Sequence, residues 1–224
     1  RWNCDEMDKH DGFRTPMSGL GAAGDYYDVL RPHGVWAVIS PFNFPMALSG
    51  GPTSGALVAG NAVVLKPSNQ GALLGYKLYE CYRDGGVPAG AFHLVTGRGA
   101  VAGEALWRHP DVNGITFTGS YPVGMDIYKN FATNVPKPVI CEMGGKNPTI
   151  VTKSADIDKA TTGVMRSAFG FGGQKCSACS RVYVEREVYD DFVSQLKTKT
   201  EQIKVGNPIE RDVSATPLLR WRWR

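Results

Sequence analysis

Val35-Trp36-Ala37-Val38-Ile39 is the stretch that decides the fold. Five consecutive apolar residues without polar alternation suit a strand covered on both faces, as in parallel sheets packed between helices. Working outward, Ala62-Val63-Val64-Leu65, Ala91-Phe92-His93-Leu94-Val95, Val112-Asn113-Gly114-Ile115-Thr116-Phe117 and Pro138-Val139-Ile140-Cys141 read as four more buried strands. The segments between them carry helical spacing. Met46 to Ala59 follows Pro45 and stops at Gly60-Asn61, although Pro52 after Gly50-Gly51 speaks for a break or kink. Gly71 to Arg83 places Leu74, Leu78 and Cys81 on one face and ends at Asp84-Gly85-Gly86. Ala100 to Trp107 and Val123 to Phe131 complete the set. Strands alternating with helices imply βαβ crossovers, and hence an α/β domain with a doubly wound parallel sheet.

The texture changes after Glu142. Met143-Gly144-Gly145-Lys146-Asn147-Pro148 reads as a turn-rich crossing into a strand, Thr149-Ile150-Val151. A helix from Ala155 to about Phe169 follows, with Asp156 and Asp158 near its positive end. The Gly-rich turn Phe169-Gly170-Phe171-Gly172-Gly173 leads through Gln174-Lys175-Cys176 to a strand, Arg181 to Val184, and a helix from Tyr189 to about Lys204. A second α/β domain therefore begins near Gly144. The expected division is residues 1–34 as an N-terminal remnant with an arm, 35–143 as a dinucleotide-binding domain, 144–213 as the start of a catalytic domain, and 214–224 as a tail of different character. Trp2 to Lys9 resembles the end of a helix, and so few elements after Gly144 would not close a core. The chain is therefore expected to be truncated at both ends and inactive by itself.

Composition excludes several classes. The 224 residues are 42% hydrophobic and 21% charged, with a formal net charge of +4. Much of the basic excess sits in Arg220, Arg222 and Arg224, which gives no footprint for a nucleic-acid partner. No run is long and apolar enough to cross a bilayer, and the opening residues lack a secretory layout, so no membrane partner and a cytoplasmic location are expected. The five cysteines, Cys4, Cys81, Cys141, Cys176 and Cys179, form one CxxC with no second pair, which suits free thiols in a reducing compartment and no metal site.

Five places carry candidate chemistry. Cys176, between a Gly-rich turn and a strand, could be an exposed thiol whose thiolate is favoured by Lys175 or by backbone N–H groups; a cysteine taken alone is more often a small buried hydrophobe. Cys179 is the better core candidate. Glu142, at the end of an apolar strand, is either a general base or a carboxylate capping the following turn. Asn43, in Ser40-Pro41-Phe42-Asn43-Phe44-Pro45, stands where the first strand gives way to a helix; its amide could stabilise an oxyanion or simply cap the turn. Phe117-Thr118-Gly119-Ser120, with Gly124 beyond, would bring a helix N-terminus to a pyrophosphate, although a glycine turn before a helix is common and no GxGxxG follows the first strand. Lys66 is either a ribose-binding lysine or a solvated strand end.

Taken together, Pro41-Phe42-Asn43-Phe44-Pro45, Lys66-Pro67-Ser68, Phe117-Thr118-Gly119-Ser120, Glu142-Met143-Gly144-Gly145-Lys146 and Gly173-Gln174-Lys175-Cys176 resemble the aldehyde dehydrogenase superfamily in order and spacing, from about Asp28 to about Val213. Arg166-Ser167-Ala168-Phe169 and Gly172 through Arg181, with Asp11-Gly12-Phe13 and Arg31 to Trp36, look most like its 1-pyrroline-5-carboxylate (glutamate γ-semialdehyde) dehydrogenase branch.

The resemblance implies a Rossmann-like fold and NAD-dependent oxidation of a small-molecule aldehyde, with NADP as an alternative cofactor. In the likeness Cys176 is the nucleophile, Glu142 the base, and Asn43 with the Cys176 N–H the oxyanion donors. Ser177 and Lys175 would contact substrate. Ile39, Ser40, Pro41, Phe42, Lys66, Ser68, Asn69, Gly99, Gly119, Ser120 and Val123 would line the cofactor site. Asn69 stands where many NAD-preferring members carry Glu, which leaves the choice of dinucleotide open. A strand at Tyr26 to Leu30, launched by Gly24-Asp25, would belong to an oligomerisation arm of a homo-oligomer. The alternatives are a non-catalytic nucleotide-binding remnant, and a dehydrogenase of another semialdehyde such as succinate semialdehyde.

Overall fold

The structure is a computed structural model that describes residues 1–18, 24–211 and 213–215. The chain divides into two compact units, Arg1–Met143 and Gly144–Arg224. Most of the tail expected to differ in character, at 214–224, lies outside the described residues.

The first unit opens with α1 (Trp2–Lys9), β1 (Arg14–Met17) and β2 (Tyr26–Val29). The two strands pair antiparallel, with Pro16 opposite Tyr27, and are exposed throughout. Sequence reasoning found β2 but not β1, because Pro16 removes a ladder donor and demotes such a run. A two-stranded ribbon has a free edge that tolerates that loss.

Then come β3 (Val35–Ser40), α2 (Ala47–Val58), β4 (Ala62–Pro67), α3 (Ala72–Asp84), β5 (Phe92–Leu94), α4 (Glu104–Trp107), β6 (Val112–Gly119), α5 (Tyr121–Asn130) and β7 (Val139–Met143). The five strands β3 to β7 form one parallel sheet in the order β5-β4-β3-β6-β7. The expected doubly wound sheet is present. Its two faces hold separate cores. Trp36, Val38, Val63 and Leu65 pack with Ala56, Leu78 and Phe92 beneath α2 and α3. Ala37, Ile115 and Phe117 pack with Trp107, Ile127 and Phe131 beneath α4 and α5. Alternate residues of β3 therefore enter opposite cores, which is why its sequence shows no polar phase. The exception is β7, where Ile140 and Glu142 are exposed and α5 packs against the strand. An edge strand with one covered face alternates, so the expectation of two-sided burial does not extend to it.

Helix α2 runs unbroken through Pro52. The missing donor costs one helical bond, and Gly51, which has no Cβ, keeps helical dihedrals ahead of the proline ring without a clash. Ser49 is fully buried and shares a hydrogen bond of 2.6 Å with Ser40 Oγ, which ties the helix to the end of β3.

The second unit holds β8 (Asn147–Val151), α6 (Ile157–Phe169), β9 (Cys179–Val184) and α7 (Tyr189–Glu201), with β8 and β9 parallel. Its core joins Val151, Val164, Cys179 and Phe192. Asp156 caps α6 by accepting from Lys159 N at 3.1 Å. Lys199 of α7 crosses to the start of α6, donating to Asp158 O, Thr161 Oγ1 and Thr162 Oγ1 at 2.7, 2.8 and 2.7 Å.

Gly114 makes the close approach of β6 to β3 possible. A Cβ there would stand 2.3 Å from two ring atoms of Trp36, whose Nε1 donates to the buried Thr116 Oγ1 at 2.9 Å. Gly114→Ala is expected to destabilise the chain by about 1–3 kcal/mol through overpacking. Gly163→Ala, inside helix α6 with nothing within 4 Å of the added Cβ, should stabilise by up to ~1 kcal/mol. Chemical denaturation midpoints should therefore move in opposite directions.

Candidate active site

A parallel sheet that winds both ways from a central pair has a switch point, and ligands bind beyond the carboxyl ends of the strands there. Here the chain leaves β3 towards β4 and β5 and returns on the other side of β3 as β6 and β7, so the switch lies between β3 and β6. The segment Ser40 to Pro45 leaves the end of β3, and Gly119-Ser120 leaves the end of β6. The register sets Ile39 beside both Lys66 and Phe117, and Thr118 beside Glu142. Asn43, Lys66, Ser68, Asn69, Gly99, Gly119, Ser120, Val123 and Glu142 thus all sit at the carboxyl end of this sheet or just past it.

Each does so in a distinct local setting. Asn43 is half-buried in the turn preceding α2. Ser40 is buried with its hydroxyl on Ser49, so only its backbone is open to a ligand. Ser68 Oγ donates to Gln70 Oε1 at 2.6 Å, and Asn69 is exposed. Gly99 begins a wide turn, Gly99–Gly103, closed by Gly103 N on Arg98 O; the helix expected from Ala100 is regular α only from Glu104. Ser120 is the N-cap of α5 and makes no side-chain cap bond, while Val123 is exposed in the first turn. Glu142 is exposed on the edge strand.

Lys66 is not a solvated strand end. It is 4% exposed, and its Nζ donates to Pro67 O at 3.0 Å. Burial lowers its pKa from the ordinary 10.5, and no carboxylate offsets that effect. A buried ammonium held by one neutral carbonyl retains free donors, so it fits a polyhydroxyl or anionic ligand.

In the second unit, Lys175, Cys176 and Ser177 form the turn before β9. Cys176 and Ser177 are exposed, whereas Cys179 is buried, as expected of the core cysteine. Gly173 has φ +71, and a Cβ on it would come within 2.9 Å of Ala168 O, so this position admits glycine alone without strain. Lys175 Nζ donates to Arg166 O at 3.2 Å, at the carbonyl end of α6. Two residues that sequence reasoning passed over also hold this turn. Asn147 donates to Cys176 O at 2.6 Å and Ala178 O at 3.0 Å, and Ser167 Oγ accepts from Cys179 N at 3.1 Å. The Asn in Gly-Gly-Lys-Asn-Pro was the available signal, and it reads equally as an ordinary turn residue.

The family model described as "Aldehyde dehydrogenase family" matches residues 1–222. The chain belongs to the aldehyde dehydrogenase family. Among members of that family, it is 45% identical over 193 residues to a protein named 1-pyrroline-5-carboxylate dehydrogenase from Anoxybacillus flavithermus, covering 84% of this chain and 38% of that one. The chain thus spans well under half the length of that relative. Proline utilization A from Bdellovibrio bacteriovorus, inactivated by N-propargylglycine, superposes with a TM-score of 0.92 at 37% identity, over 98% of this chain and 23% of that one. NADP-dependent glyceraldehyde-3-phosphate dehydrogenase from Bacillus halodurans, in complex with NADP, superposes with a TM-score of 0.88 at 38% identity, over 98% of this chain and 46% of that one.

The lowered pKa of Lys66 has a sign that can be tested. The folded chain holds this proton less tightly than the unfolded chain, so charged Lys66 costs stability at neutral pH, and the cost fades as pH rises towards 10.5. Lys66→Met is expected to raise Tm at pH 7, with the difference from wild type narrowing by pH 10. Melting curves at the two pH values measure it; a lower Tm at pH 7 would contradict the reading.

Proposed function

We propose that the protein oxidises an aldehyde to a carboxylate, with glutamate γ-semialdehyde as the preferred substrate and NAD or NADP as the acceptor. The observation that carries this is the gathering of Asn43, Lys66, Ser120 and Glu142 at one sheet edge in a family member that presents Cys176 on an exposed turn.

The bound dinucleotide would supply the hydride acceptor. Lys66 would hold its ribose, and the N-terminus of α5 at Gly119-Ser120 its pyrophosphate, with Ile39 to Phe42 and Val123 alongside. Cys176 adds to the aldehyde carbon, and the oxyanion that forms is met by the Asn43 amide and the Cys176 N–H. Once the carbon has been oxidised, Cys176 carries a thioester. Glu142 takes a proton from the water that cleaves it, releasing the carboxylate and restoring the thiol. Ser177, beside the nucleophile, would receive the carboxylate that the semialdehyde carries at its other end. Lys175, tied to the end of α6, would act on the substrate by its charge.

The glutamate γ-semialdehyde assignment is supported by the name of the 45%-identical relative and by the likeness to proline utilization A. Asn69 would repel a 2′-phosphate less than a carboxylate does, and a structural neighbour is an NADP enzyme. The exposed β1–β2 ribbon, with Tyr26, Tyr27 and Val29, would serve as an arm between copies in a homo-oligomer. Residues 35–143 would then be the dinucleotide-binding domain and 144–213 the start of the catalytic one, in a protein acting in the cytoplasm.

In the full-length gene product, kcat/KM is expected to be at least tenfold higher for glutamate γ-semialdehyde than for succinate semialdehyde or simple aliphatic aldehydes. A flat or reversed preference would remove the substrate assignment. Cys176→Ala should abolish turnover while leaving dinucleotide affinity within about twofold, since the thiol contributes to chemistry and not to that binding. Asn69→Glu should raise KM for NADP by an order of magnitude or more against a small change for NAD.

A further inference from the structure

Cys176 is the exposed end of a four-residue span whose other end, Cys179, is set in the core of the second unit, with Sγ accepting from Thr149 Oγ1 at 3.2 Å. Something must hold the exposed end. At this point the β8–β9 ladder does not. Asn147 pairs with Cys179 and Pro148 with Arg181, so Ser180 is an extra residue in β9, and Pro148 has no N–H to donate.

The Asn147 side chain takes over. Its Nδ2 donates to Cys176 O at 2.6 Å and to Ala178 O at 3.0 Å. An amide NH₂ carries two protons, one for each carbonyl, and both partners are pure acceptors, so the nitrogen is the atom that must face them. In a trans peptide the C=O and N–H point in opposite directions. The peptide joining Ala178 to Cys179 is therefore gripped on both sides, by Asn147 at its oxygen and by Ser167 Oγ at its N–H, 3.1 Å away. The peptide that follows Cys176 is fixed at its oxygen, which sets the backbone from which the Cys176 side chain projects. The turn's own bond, Ala178 N to Lys175 O at 3.1 Å, closes the ring.

We propose that Asn147 is the positioning residue for Cys176: its two amide donors fix the turn so that the thiol stands in one reactive orientation. The proposal rests on Cys176 being the nucleophile. Asn147 touches neither substrate nor dinucleotide in this role and acts only through the carbonyls of Cys176 and Ala178.

The test measures the rate of carbamidomethylation by iodoacetamide at Cys176 relative to Cys81, an exposed thiol of the first unit, by peptide mass spectrometry on the full 224-residue chain. Asn147→Ala removes the donors. Asn147→Asp keeps the shape but turns acceptors towards two carbonyl oxygens, so it preserves the test if the alanine variant melts. Both are expected to lower the Cys176-to-Cys81 ratio about tenfold or more, in line with the cost of a misplaced reacting group, with the Cys81 rate unchanged. A residue that merely packs would leave the Asp variant like wild type. A high wild-type ratio that is unchanged or raised in both variants overturns the positioning role alone. A wild-type ratio near one overturns the nucleophile reading and this proposal with it.

Discussion

A strand buried on both faces has no polar side to give away, and β3 is that strand. Trp36 and Val38 enter one core, Ala37 and Ile39 the other, and β4 and β6 pair with it along its two edges. Every other placement in the first unit follows from satisfying it. Helices must cover both faces, so the chain must wind both ways, and winding both ways opens a crevice at the carboxyl ends of the two central strands. Close packing around Trp36 tightens the constraint. Its indole lies where a side chain on Gly114 would be, and its N–H is satisfied by Thr116 of the neighbouring strand, so β3 and β6 are locked in register.

The electrostatics of the sheet edge follow from the same geometry. A lysine near the end of a central strand is buried because its neighbours are, and Gly103 lies against the methylene stem of Lys66. The ammonium is left with the Pro67 carbonyl as its protein partner. Such a group raises the free energy of the empty protein and is relieved when oxygen-rich ligands arrive. In the second unit the tension is of a different kind: a proline and a bulge interrupt the ladder where the turn with Cys176 needs support, and side chains supply what the backbone does not.

Much of this was legible in the sequence, and the reasons are specific. The parallel sheet announced itself because Val35 to Ile39 and Ala62 to Leu65 lack polar phase, and helices flanked by Gly and Pro have clear ends. Cys179 read as the core cysteine because it abuts a strand. Four features did not read. Pro16 concealed β1, since the rule against proline in strands assumes a ladder that matters on both edges. Pro52 suggested a break or kink, yet α2 runs on through it, with Ser49 and Thr53 buried on either side. The burial of Lys66 is a tertiary fact that no local pattern encodes. Asn147 was hidden because an asparagine between Lys and Pro has many uses, and which carbonyls it reaches depends on a strand 32 residues further along the chain.

Phe171, Gly172 and Gly173 share a backbone handedness that L-amino acids mostly avoid, with φ of 58, 62 and 71 degrees. Phe171 bears that cost with a full side chain, roughly 1–2 kcal/mol. The cost falls on Phe171 alone: Gly172 and Gly173 reach the same region without a Cβ to clash, so a side chain at either would bring the strain that the phenylalanine already carries. Mutational drift in the segment upstream of the thiol is accordingly restricted by chirality more than by burial. Adding or removing one residue there would rotate the strand that follows, whatever the identity of the residue added.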